Sequence, residues 1–178
     1  MILEINRIVS TWLNGATYGA NAMLATVPLD TGDAVPADFA LITDETQNGD
    51  VARDELPPES PSLSVSVDVA ENVDGQVQVV TAEGDVKLRL RVGLDNAATA
   101  DGRRDLSYYL RAVARSFREL MRDQHADDRM RNGVCLESCS TLTFAIVNAK
   151  DQQGSSIVTG YVLPTVHVRD TKPYHDSP

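Results

Sequence analysis

Apolar residues recur at helical spacing through MILEINRIVSTWL, where Ile2, Ile5, Val9, Trp12 and Ala16 form one stripe, and this predicts a helix laid against a core. Gly15 and Gly19 weaken its continuation. The pattern resumes at Ala20, Met23, Leu24 and Val27 and stops at Pro28, so either a kinked helix or two short helices fit this segment. From Leu29 to Pro61 periodicity gives way to proline, glycine and acids, with Phe39, Leu41 and Ile42 marking one short strand. Otherwise residues 28–62 are expected to form a long, exposed, acidic loop.

The period then falls to two. SLSVSVDV alternates Leu63, Val65, Val67 and Val69 with Ser64, Ser66 and Asp68, the signature of a half-buried strand. QVQVV and VKLRLRV follow, and turns at Asp74-Gly75 and Glu83-Gly84 would join all three into a meander. A two-residue turn at Glu83-Gly84 pairs Val79 with Leu88 and Val77 with Leu90, giving an inner face of Leu63, Val65, Val67, Val79, Leu88 and Leu90. The outer face then shows Lys87 beside Val80, Arg89 beside Gln78 and Arg91 beside Gln76.

DGRRDLSYYLRAVARSFRELMRD is the clearest helix. Leu106, Leu110, Val113, Phe117 and Met121 form one face, with Tyr109 and Leu120 at its margin. Arg104, Arg111, Arg115, Arg118 and Arg122 gather within roughly 60° of one another on the other side. The final third is a predicted hairpin, VCLESCSTLTFAIVNA and IVTGYVLPTVHVRD around a turn in KDQQGSS, with Pro164 pointing to a sheet edge or a bulge in the second arm. Residues 170–178 read as a flexible tail. The expected architecture is one α+β domain over residues 1–178: an antiparallel sheet, meander plus C-terminal hairpin, packed against an N-terminal helix and a central amphipathic helix.

Length and composition fit one aliphatic core, with 178 residues and 42% hydrophobic positions. No run suits a membrane span, and MILEINRI has an acid where a signal peptide needs apolar residues, so the chain is expected to be made and used without export. Cys135 and Cys139 are too few for a disulfide framework and are expected reduced; on a regular strand they share a face about 13 Å apart. His125, His167 and His175 lack ligand spacing, so no metal is expected, and His125 is placed in a solvated turn. No phosphate loop, nucleophile elbow or nicotinamide fingerprint occurs, and Asp44 and Glu45 are ordinary neighbours in an acidic loop. The expectation is therefore no enzyme and no cofactor.

Charge changes the picture. The net charge is -10, yet residues 30–59 hold nine carboxylates against Arg53, while the central helix and VKLRLRV hold most of the bases. Such sorting suits head-to-tail binding between copies. The competing arrangement is an acidic loop folded back on its own basic helix. The expected subunit interface comprises Arg111, Arg115, Arg118 and Arg122 with Lys87, Arg89 and Arg91, partly against Asp44, Glu45, Asp50, Asp54 and Glu55. Repulsion opposes binding to free DNA.

This layout, an amphipathic N-terminal helix ending in Tyr-Gly-Ala-Asn-Ala-Met-Leu, a proline-rich loop, a meander, a helix beginning near Arg103 and a closing hairpin, resembles the tail terminator and tail-completion (neck) proteins of tailed bacteriophages. The resemblance implies a structural virion protein assembled in the host cytoplasm, forming a hexameric ring that ends the tail tube and joins it to the head connector. It also implies as partners the chain itself, tail-tube and head-connector proteins, with DNA only passing through, no membrane and no catalytic residues. Tail-tube and other neck or head-completion subunits share much of the same β-rich plan and form the alternative.

Overall fold

Why the first apolar stripe ends where it does is visible in a computed structural model, which describes residues 2–44, 60–67, 83–95, 97–150 and 156–170. Helix α1 (Ile2–Leu13) buries Ile5, Ile8, Val9 and Leu13, and a separate short helix α2 (Ala20–Leu24) follows a turn. Of the two arrangements open from the sequence, two helices is the one adopted. The turn requires glycine: a Cβ on Gly19 would lie 2.6 Å from the Leu13 carbonyl oxygen and closer still to that of Gly15.

Among the described residues, six strands make one mixed sheet in the order β1-β2-β3-β6-β5-β4. They are β1 (Leu41–Asp44), β2 (Ser62–Val67), β3 (Glu83–Gly93), β4 (Met130–Arg131), β5 (Val134–Lys150) and β6 (Ser156–Asp170). β1 runs parallel to β2, and every other pairing is antiparallel. The short strand expected around Leu41 and the C-terminal hairpin are both present, and the fold class is α+β with helices packed on the sheet.

The central helix α3 (Ala100–Leu120) starts where Thr99 accepts a hydrogen bond from the Gly102 amide, at 3.0 Å. Leu106, Val113, Phe117 and Leu120 are fully buried, each contributing on the order of 1.5–3 kcal/mol. Leu120, expected at the margin, lies in the core, whereas Met121 is only partly buried just past the helix end. Leu63, Val65, Leu88, Leu90 and Val92 face the helices from β2 and β3. α3 crosses β6 so closely that a Cβ on Gly160 would meet Leu106 and Leu110 side-chain carbons at 2.9 and 3.0 Å.

Three expectations about the sheet need correction. Leu90 has Val65 on one edge and Val162 on the other, so no edge remains for Val77, and Val67 rather than Val79 faces Leu88. The segment expected to pair there, residues 76–80, lies outside the described residues. Second, β6 is not an edge strand: it sits between β3 and β5, and its ladder to β3 skips the positions around Pro164, which has no N–H to give. Third, Cys135 and Cys139 do not share a face. The register against β6 shifts between Leu136 and Ser138, and this extra residue sets Cys135 opposite Arg169 but Cys139 opposite Val166. Both thiols are free. Arg129, 8% exposed, fastens the irregularity by donating to the Glu137 carbonyl at 3.1 Å and the Met121 carbonyl at 3.3 Å.

Candidate interaction surfaces

The arginine row of α3 is only partly free of its own molecule. Arg104 pairs with Asp33 and Asp101, each at 3.1 Å, and Arg122 pairs with Glu119 at 3.2 Å. Arg115 donates to the Thr26 carbonyl at 2.8 Å. Arg111 and Arg118 are exposed and make no ion pair among the described residues. The start of the acidic loop does fold back on the helix: Tyr108 donates its hydroxyl hydrogen to Asp33 at 2.6 Å and accepts from the Asp30 amide, while Tyr109 donates to the Ala37 carbonyl. The hydrogen bond to the Asp33 carboxylate holds the Tyr108 proton and raises its pKa, and burial pushes Tyr109 up to about 12.

Lys87, Arg89 and Arg91 leave β3 on the face away from α3, so the seven bases named from the sequence form two surfaces on opposite sides of the sheet. Lys87 is exposed; Arg89 lies over the Tyr161 ring at 5.9 Å; Arg91 is 7% exposed, between Ser64 and Tyr161 in register. Of the expected acidic partners, Asp44 ends β1, and Glu45, Asp50, Asp54 and Glu55 lie outside the described residues.

The same outer face holds an ionic cluster missed in the sequence because it needs the β3 and β6 register. Asp85 is paired with His167, whose Nδ1 lies 3.0 Å from Asp85 and Nε2 3.4 Å from Glu83, and Arg169 pairs with Glu137. Hydrogen bonding to Asp85, then Glu83, raises the His167 pKa. Because the folded chain holds this proton more tightly, the stabilisation is full below the unfolded value of about 6.5 and disappears as pH rises through the higher folded value. An NMR titration should place the His167 midpoint above that value, and Asp85→Asn should lower it; an unchanged midpoint would contradict the contact.

His125 is not in a solvated turn. Its side chain is 12% exposed, with ring centroids 4.8 Å from Trp12 and 4.9 Å from Tyr18, and the two larger rings stack at 5.8 Å. These rings, with Arg7, Asp128 and Arg131, line a cleft of about 490 Å³. The histidine is drawn there by a single turn of helix at residues 123–125, directly after α3, a placement that no local periodicity announces.

A further surface is apolar. Beyond Cys135 the outer edge of β5 pairs with no strand among the described residues. Phe144, Ile146 and Val147 are 49%, 53% and 46% exposed there. Their alternation was legible in the sequence; that nothing among the described residues covers them was not.

Among the described residues, no three His, Cys, Asp or Glu side chains come together as a metal-binding group, and no helix is long and apolar enough to cross a membrane. Comparison with known protein families, curated proteins and solved structures finds no match.

Proposed function

We propose that this chain is a structural subunit which assembles with copies of itself into a ring at the head-tail junction of a tailed bacteriophage, ending the tail tube and meeting the head connector. The observation that carries the reading is the exposed face of α3. Arg111 and Arg118 stand there with no ion pair among the described residues, and Arg111 faces Arg115 one turn on, although the chain as a whole carries a charge of -10. Like charges at this spacing destabilise a helix by a few tenths of a kcal/mol unless an anion lies alongside. Acidic surface on a neighbouring copy supplies that anion, and a head-to-tail contact of this kind closes into a ring when its rotation allows. In such a ring DNA only passes through.

Light scattering at low and high salt tests the reading. A discrete species well above the 19.3 kDa monomer is expected at low salt, losing mass as salt screens the contact. The double substitution Arg111→Glu and Arg118→Glu should break it down to a species no larger than a dimer, and electron micrographs of the wild type should show closed rings. A monomer at every salt and protein concentration would overturn the proposal.

A further inference from the structure

Past Cys135, no strand among the described residues pairs with the outer edge of β5. Exposed edges normally carry a lysine, a proline, an inward-pointing charge or a β-bulge that stops another strand from adding. Residues 141–148 contain none of these, and from Thr141 to Lys150 the pairing with β6 runs unbroken, so the opposite edge offers a regular row of backbone donors and acceptors. Next to it, α3 reaches over β6 at Gly160 but leaves Phe144 and Ile146 about half exposed on the core side of the sheet.

We infer that a second copy of this chain adds at this edge, its β5 antiparallel to the first across a two-fold axis centred on Phe144. The side-chain pattern selects a copy over other partners. On the core-side face Leu142, Phe144 and Ile146 read the same in both directions: aliphatic, aromatic, aliphatic. Centred on Phe144, the pair sets Leu142 opposite Ile146 twice and Phe144 opposite itself, with Thr143 facing Ala145 on the other side of the sheet. Pairing Phe144 with Ala145 would oppose the two faces, which the pleat forbids. Moving the axis to Ala145 would set Leu142 against Asn148. Among the described residues the other edge strand, β1, spans Leu41–Asp44, too short to cover β5. Electrostatics agrees: two chains of charge -10 repel, and this uncharged stretch lets them approach with least opposition.

The contact is isologous and stands apart from the ring, which uses other faces. The test is Phe144→Cys in a background with Cys135→Ser and Cys139→Ser. Directly opposed residues lie about 4.5–5.5 Å apart at Cα, within disulfide reach, so mild oxidation should give a covalent dimer. Phe144→Lys with Ile146→Lys should keep the native circular dichroism and melting transition yet weaken self-association by roughly tenfold or more in sedimentation. No cross-link, with the lysine variant associating like the wild type, overturns this contact and leaves the ring reading standing. A cross-link in the Phe144→Cys variant, with a wild type that never closes into rings, keeps the contact and removes the ring. A wild type monomeric throughout, with no cross-link in the cysteine variant, removes both.

Discussion

Truncating Phe117 to alanine should lower the unfolding free energy by about 3–5 kcal/mol, the range for a buried aromatic side chain lost from a tight core. Phe117 is fully buried on α3, within the single cluster that joins α1, α2, α3 and the inner face of the sheet. Its neighbours cannot collapse freely into the space. Ser116 is tied to the Tyr18 carbonyl at 2.6 Å, and Trp12 donates its indole N–H to the Ser116 carbonyl at 2.8 Å, so both α1 and the turn after it are fastened to this part of the helix. Since domains of this kind are stable by only about 5–15 kcal/mol, the variant should unfold at a much lower urea midpoint. A loss below about 1 kcal/mol would mean that α3 does not seat Phe117 on the sheet.

Gly19→Ala is the second large effect expected, about 3 kcal/mol or more, because the new methyl group would press on backbone oxygens of Leu13 and Gly15 that cannot swing aside. Gly32 supplies the control. It adopts a positive φ of 94° with no atom within 4 Å of an added Cβ, so alanine there meets only the left-handed backbone penalty, about 1–2 kcal/mol. Thermal melts of the two variants side by side separate crowding from backbone conformation; equal losses would refute the crowding argument at Gly19.

Both positions show which part of the structure the sequence discloses. Phe117 belongs to a stripe with a period near 3.6, and such stripes, like the alternation in SLSVSV and VKLRLRV, are local consequences of burying one face. α3, the two N-terminal helices and the hairpin arms are therefore readable without any partner. Neighbour order is different. Whether Leu90 lies beside Val77 or between Val65 and Val162 depends on contacts distant along the chain, and a turn signal at Glu83-Gly84 favours the local answer while the hairpin from the far end of the chain takes the place. One added residue near Glu137 then reverses the facing as far as Cys139, until a second register shift before Thr141 restores it, which is why the two cysteines part company.

The interaction surfaces divide along the same line. The arginine row was visible as a helical stripe, but Asp33 and Glu119 neutralise its two ends, Thr26 engages Arg115, and those contacts depend on where the loop and the helix terminus fold. The β5 edge was visible only as alternation in LTFAIV. Its exposure follows from where α3 crosses the sheet, a matter of three-dimensional placement.

Trp12 is the sole tryptophan of the chain. Its indole bridges α1 to α3 while its ring lies against Tyr18 and His125, so its fluorescence, excited near the red edge where tyrosine does not absorb, reports one junction. Detachment of α1 from the remainder would register as a spectral change even where the sheet stays intact, giving an optical gauge of the N-terminal layer that requires no label.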